Sequence, residues 1–310
     1  WYLDGTKVSA GDIVKTAENH ILVARYTAND DTAFTVKYYL QNLDANKKDL
    51  ASTYNELSDM ATTGHGTTAT DASIEGFKVA IAGAKFVEYK TNLAENALTI
   101  SADGSLVVSL YYTRLTYTLT YSAPDSTGGE MVAENRYYGS AFALADNRFT
   151  KTGYTFAGWA TEENGEVVYA DGAILEMSNA NVTLTAKWTA NTYTVSFASV
   201  TLTNSSVNNM PAKSVTMTFD GAVTEKVGSV PTAKGYTFAG WYTSATAGSL
   251  LATADGTFVD LASYIVDGKW VRAENVTVYT RFTENRYDIS ISSEDGLFTE
   301  ANGWTIPTIC

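Results

Sequence analysis

GYTFAGW, residues 153–159, recurs without a change at residues 235–241, 82 positions later. A catalytic constellation is normally used once per domain, so an unchanged duplicate at the spacing of a small module points to architecture. Read as a strand, the alternation with Thr155 puts Tyr154 and Phe156 on one face. Gly158 before Trp159 marks a bulge or bend where no side chain fits. A module of about 80 residues has a small core, in which a few aromatics supply much of the burial. Burying one large side chain contributes roughly 1.5–3 kcal/mol. The expected repeat cores are therefore Tyr154, Phe156, Trp159 and Trp188 in one copy, and Tyr236, Phe238, Trp241 and Phe282 in the other. The rival reading is an exposed aromatic platform for sugars, which glycine framing in duplicate disfavours.

Outward from the heptads, similar closing segments follow: NANVTLTAKWTANTYTVSF (179–197) and AENVTVYTRFTENRYDISI (273–291), with a third near the start, AENHILVARYTANDDTAFTVKYYL (17–40). Each alternates apolar and polar residues, meets a polar turn containing Asn, and alternates again, the pattern of strand, tight turn, strand. Val182, Leu184 and Ala186 share one face, as do Val276, Val278 and Thr280. The strand before each turn ends one unit and the strand after it begins the next. Joints this short, at Thr189–Thr192 and Thr283–Arg286, predict an elongated, semi-rigid array.

Residues 34–114 break the pattern. Strand-like FTVKYYLQNLD opens this section and ISADGSLVVSLYYTRLTYTLTY closes it, with Asp103-Gly104 a hairpin signal. Between them, Lys48–Gly64 carries Leu50, Tyr54, Leu57 and Met60 near helical spacing, so a short helix and a strand hairpin both fit.

The composition agrees with a β protein that buries cores: 45% hydrophobic residues, 20 Tyr and only 4 Pro. The formal charge of −13 and the lack of a basic run argue against nucleic acid as a partner. The single cysteine, Cys310, excludes a disulfide framework within the chain. No apolar run reaches the roughly 18 residues of a transmembrane helix, so no membrane span is expected in this piece. The N-terminus has no basic-then-apolar signal.

Motifs for chemistry are few. G-x-S-x-G, H-E-x-x-H and the Gly-Lys-Ser/Thr phosphate loop do not occur. His20 and His65 have no neighbours at ligand spacing and read as solvated loop histidines. The Asp-Gly pairs at Asp4, Asp103, Asp171, Asp220, Asp255, Asp267 and Asp295 lack the D-x-D-x-D-G ladder of a calcium loop and read as turns. The acidic pairs Glu162-Glu163 and Asp30-Asp31 lie in polar loops. Asn181-Val-Thr and Asn275-Val-Thr fit the glycosylation pattern at equivalent repeat positions, which shared ancestry explains. No catalytic, cofactor-binding or metal-binding residue is expected. A Lys–Asn isopeptide bond is another device to consider, with Lys37 and Lys187 on strands, but the sequence places no triad.

On these residues the chain resembles two families. Gly153, Tyr154, Phe156, Gly158, Trp159, Leu184, Ala186 and Trp188 fall in the pattern of the Listeria–Bacteroides repeat, the internalin B-repeat. In the second copy Phe282 replaces the last Trp and Thr280 the Ala. The distance from Trp to closing aromatic also grows from 29 to 41 residues, through an insertion near SYIVDGKW that bears on the surface and not the core. Residues 34–114, with YYLQNLD and ADGSLVVSLYYTR, are similar to the mucin-binding-protein-like repeat. The resemblances imply a mainly β protein of tandem, small β-grasp-like modules. These divide as residues 1–29 (C-terminal half of a B-repeat-like module), 30–114 (mucin-binding-like), 115–190 and 191–283 (B-repeat-like, the latter with the insertion) and 284–310 (first strands of a further module).

The implied role is non-enzymatic: a segment of a large bacterial cell-surface protein, acting as adhesin stalk or extracellular fibre building block. A carbohydrate-binding module for mucin-type glycans, centred on residues 34–114, and an accessory region of a secreted glycosidase are the alternatives. Expected partners are host or environmental glycans or proteins, and the chain itself head-to-tail. The last follows from the ends, where half-modules at Ile21–Tyr26 and Arg286–Ile291 read either as a slice of a longer chain or as strand donors between subunits.

Overall fold

The computed structural model describes residues 1–13, 15 and 18–288, and these are nearly all β. Contacts divide the chain into two units, residues 1–149 with 157–187, and residues 150–156 with those from 188 on.

In the first unit, β1 (Tyr2–Leu3), β2 (Thr6–Lys7) and β3 (Leu22–Val23) form a small sheet. Leu22 and Val23 pair there with Leu3 and Tyr2 of the same chain. The corresponding expectation for Arg286–Ile291 runs outside the described residues.

The next sheet holds β4 (Thr32–Leu43), β5 (Leu50–Glu56), β6 (Thr62–Gly66), β7 (Ala84–Thr91) and β8 (Val107–Arg114). Strict alternation buries Phe34, Val36 and Tyr38 of β4 against Val108, Leu110 and Tyr112 of β8. The helix entertained over Lys48–Gly64 does not form: β5 and β6 both pair antiparallel with β4. The apolar spacing is used differently, with Leu57 and Met60 packing on the core from either end of a single 3-10 turn, Ser58–Met60. Asp103-Gly104 is likewise a turn but not a hairpin, because β8 pairs with β4 in parallel and with β7.

The third sheet holds β9 (Thr116–Ser122), β10 (Glu134–Tyr137), β12 (Tyr154–Ala160) and β14 (Val182–Ala190), with β11 (Ala141–Ala143) and β13 (Ile174–Glu176) paired beside it. In the second unit, β15 (Thr192–Ala198), β16 (Val215–Thr218), β17 (Tyr236–Tyr242), β18 (Leu250–Ala252) and β21 (Val276–Glu284) form one sheet. β19 (Ile265–Val266) and β20 (Lys269–Trp270) make a hairpin.

The three larger sheets share one strand order. It runs β5-β4-β8-β7, β10-β9-β14-β12 and β16-β15-β21-β17, so in each the first and last strands lie side by side in the middle. That central pair is parallel in all three. Residues 34–114 therefore do not break the architecture, although their sequence breaks the motif.

Candidate functional site: the heptad core and its joints

Why the heptad needs its second glycine follows from the register. Phe238 lies opposite Phe282, but the next pair is Gly240 with Arg281, so Ala239 is an extra residue, a β-bulge. Without it Trp241 would point away from Phe238, because strand side chains alternate. With it, Trp241 pairs with Thr280 and turns to the same face. Gly240 has φ +124°, and an added Cβ would lie 2.6 Å from the Ala252 carbonyl. Gly158 repeats this with φ +138° and a Cβ position 2.5 Å from Val167. Only glycine satisfies both the conformation and the space.

The bulge delivers the indoles into the cores. Trp159 and Trp241 are both 0% exposed. Trp159 packs against Tyr121 (5.0 Å between ring centres) and Phe149, and Trp241 edge-on to Phe197 (4.7 Å). Phe156 meets Trp188, and Phe238 meets Phe282, edge-on or tilted. Tyr154, Phe156, Trp188, Tyr236, Phe238 and Phe282 are half-buried. Thr280, which stands where the first copy has Ala186, is buried with its hydroxyl accepting the Val200 amide. The insertion near SYIVDGKW, read as a surface matter, enters the core: Ile265 and Trp270 are buried, and the Trp270 Nε1 donates to the Arg272 carbonyl at 2.7 Å.

A third, degenerate heptad escaped the sequence reading. GAKFVEY, residues 83–89, forms β7 with the same register: Phe86 opposite Tyr112, a bulge at Val87, and Tyr89 opposite Leu110. The signal was Gly83, Phe86 and Tyr89 at the spacing of Gly153, Phe156 and Trp159.

The joints repeat as closely. Gly83, Gly153 and Gly235 each accept an amide hydrogen bond from the residue that follows the closing strand, Leu115 (2.8 Å), Asn191 (2.9 Å) and Asn285 (2.8 Å). Leu115 and Asn191 then accept, through their own carbonyls, the amides of Tyr138 and Phe219, both at 2.9 Å. Those two rings cover the glycines: a Cβ on Gly83 would lie 2.2 Å from Tyr138, and one on Gly153 2.3 Å from Phe219. Leu115 and Asn191 are thus each bonded to the heptad glycine of one sheet and to the residue that follows the second strand of the next.

Asn181 and Asn275, which fit a glycosylation pattern, have a structural task. Their side-chain oxygens accept the amides of Thr118 (2.9 Å) and Thr194 (2.8 Å) at the start of the parallel first strand. The six Asp-Gly pairs within the described residues all sit in turns, and Asp295 lies outside them. His65 is not in a loop but on β6, with its Nδ1 2.8 Å from Asp31, and His20 lies 3.8 Å from Asp4. Among the described residues no group of three His, Cys, Asp or Glu is placed to hold a metal, and no helix is long and apolar enough to cross a membrane.

The face of β4 and β8 turned from the core carries a separate cluster. Tyr39 and Tyr111 stack at 5.0 Å, with Tyr54 edge-on to Tyr111. Glu56 accepts hydrogen bonds from Lys37 and Tyr39, both 3.1 Å; the Lys37 contact holds the Glu56 carboxyl below its usual range and raises the Lys37 ammonium. On the opposite face of the sheet, where strand alternation places Asn42, Thr53, Asn55 and Arg114, these residues with Asp44 and Lys47 line a polar cleft.

Comparison with known proteins matches these repeats to a family. Residues 117–187 and 193–260 each match the Listeria-Bacteroides repeat domain. The chain is similar to internalin H of Listeria monocytogenes, 34% identical over 44% of this chain and 20% of that protein. It is also similar to a protein of Evansella cellulosilytica named as a Gly-rich membrane protein, 31% identical over 58% of this chain and 18% of that protein. The chain thus spans about a fifth of the length of these relatives. The two matched spans fall on two of the three sheets that share one strand order, and each contains one copy of the bulged heptad.

Proposed function

We propose that this chain is a non-enzymatic, repeat-built region of a large bacterial cell-surface protein, serving as the stalk of an adhesin or a building block of an extracellular fibre. The observation that carries the reading is the joint: three times, a heptad glycine carbonyl receives the amide of the residue that leads out of its sheet. The repeated bond links one sheet to the next. The similarity to internalin H and to a Gly-rich membrane protein supports a place at the surface. We read the modules as β-grasp-like, divided at 29/30, 114/115, 190/191 and 283/284, on the strength of the shared order with a parallel central pair. Antibodies against the chain should label intact cells of the source bacterium; labelling only after lysis would contradict the reading.

A second reading is favoured by one observation, the Tyr39–Tyr111–Tyr54 cluster beside the Lys37–Glu56 pair. Aromatic faces flanked by an ammonium and a carboxylate suit the apolar ring face and hydroxyls of a sugar. This is the place where a mucin-type glycan would bind residues 30–114. A glycan array separates the two: specific retention that is lost in Tyr111→Ala supports the glycan site, and no retention leaves the stalk alone.

A further inference from the structure

The cleft lined by Asn42, Asp44, Lys47, Thr53, Asn55 and Arg114 has a volume of about 400 Å³, within the roughly 300–1,000 Å³ of small-molecule sites. It departs from the pattern of its own sheet. Leu110 and Tyr112 of β8, on the same face as Arg114, are buried in the core. Polar residues at core parity are where a fold gives up its own pattern for function. The charge departs as well. The chain carries a formal charge of −13, yet this cleft sets two cations, Lys47 and Arg114, against one carboxylate, Asp44.

The lining is pre-arranged. Arg114 donates from Nε to the Gln41 carbonyl at 3.0 Å and from Nη1 to the Tyr138 carbonyl at 2.9 Å, using two of its five N–H donors. Gly139, also on the cleft, leaves room for this, because a Cβ there would lie 2.7 Å from Arg114 Nη1. Asn42 donates both amide hydrogens, to Thr53 Oγ1 (3.0 Å) and Asn55 Oδ1 (3.1 Å). That leaves the Asn42 oxygen as an acceptor, and the Thr53 hydroxyl and the Asn55 amide as donors. The Asp44 Oδ1 accepts the amides of Lys48 (2.7 Å) and Asp49 (3.3 Å), closing the turn that carries Lys47 at φ +56°. A lysine in that left-handed conformation is uncommon.

We propose that this cleft binds a sugar carrying one carboxylate, of the hexuronate class. The Lys47 ammonium and the remaining Arg114 N–H groups take the carboxylate, which matches the cleft's balance of two cations against one anion. Asn42, Thr53 and Asn55 supply the mixed donors and acceptors that ring hydroxyls need, since each hydroxyl is both. The site lies on the other face of the sheet from Tyr39 and Tyr111, and it stands or falls independently of the two readings above.

The test follows the side-chain amide signals of Asn42 and Asn55 by NMR while sodium glucuronate, glucose or sodium acetate is added to the whole chain. Glucuronate should shift both signals saturably, at concentrations where glucose and acetate shift them several-fold less. Lys47→Ala, at an exposed turn position, should weaken glucuronate binding about fivefold, the upper end for an exposed charge pair. No saturable shift with glucuronate would overturn the proposal. So would an equal response to acetate, which marks a bare anion site, an equal response to glucose, or binding unaffected by Lys47→Ala. Shifts confined to the Tyr39 and Tyr111 rings would put the sugar on the opposite face and overturn it too.

Discussion

Phe238 and Trp241 stand three residues apart in one strand and still share a face, their rings edge-on at 5.4 Å. A regular strand forbids this, and the extra residue Ala239 permits it. The heptad therefore encodes a bulge as much as a set of aromatics, which explains why Gly158 and Gly240 recur with the rings. The same device operates at Val87, between Phe86 and Tyr89, without a glycine.

Truncating the indoles should empty the cores. Trp159→Ala and Trp241→Ala are each expected to destabilise their own repeat by about 3–5 kcal/mol, because both side chains are fully buried. Trp188→Ala and Phe282→Ala, at half-buried positions, should cost less. Native-state hydrogen exchange of the amides in β14 and β21 reports each repeat separately; indole truncations as mild as those at Trp188 and Phe282 would refute the assignment.

Gly153 and Gly235 offer a matched pair for the joint. Both have φ +79°, so an alanine at either carries the same backbone cost of about 1–2 kcal/mol. Among the described residues, only Gly153→Ala also drives a methyl into a ring, that of Phe219. Gly153→Ala should therefore lower thermal stability more than Gly235→Ala does, and equal losses would show that the ring does not bear on the joint.

Asn181→Ala and Asn275→Ala should each cost about 0.5–1.5 kcal/mol, the net worth of one hydrogen bond to the first strand. Asp substitution keeps the acceptor oxygen and should recover most of the loss. Thermal melts of the Ala and Asp variants check this, and an unchanged melting temperature for Ala would remove the structural role.

Much of this was legible before the structure. The heptads, the closing strands and the joints at Asn191 and Asn285 are written in apolar alternation and repetition, which survive any tertiary context. What was not legible depended on partners distant in sequence. Leu50, Tyr54, Leu57 and Met60 have helical spacing, but β4 supplies an edge that pairs β5 and β6, and pairing overrides local periodicity. The heptad at residues 83–89 was hidden because Tyr89 and Glu88 replace the Trp and the Gly, leaving only Gly83 and Phe86 in common. Trp270 entered the core through a hairpin insertion whose depth no local pattern reveals. At the joints the glycines were visible, but that Tyr138 and Phe219 roof them depends on packing between strands 55 and 66 residues away.

Alkaline pH should unfold the repeats cooperatively. Burial raises the phenols of Tyr38, Tyr112 and Tyr121 above their ordinary value of 10.0. Their folded-state values exceed the unfolded one, so their contribution to stability is complete below pH 10.0 and is lost as pH rises through the folded values. Tyrosinate absorbance and circular dichroism recorded together should show a late ionisation step that coincides with loss of β signal. Ionisation of all tyrosines in one early step with the fold intact would contradict the burial.

The central claim is that a glycine bulge turns the heptad tryptophan into the core and so builds the repeat. Its most direct measurement is the opening free energy of β21 amides in Gly240→Ala, compared with Gly228→Ala, where an added Cβ meets nothing and no positive φ is needed. Gly240→Ala combines a backbone cost of about 1–2 kcal/mol with a methyl 2.6 Å from the Ala252 carbonyl, so it should lose more than that backbone cost alone. Gly228→Ala should stay within about 0.5 kcal/mol of the parent. Equal opening free energies for the two variants would contradict the account.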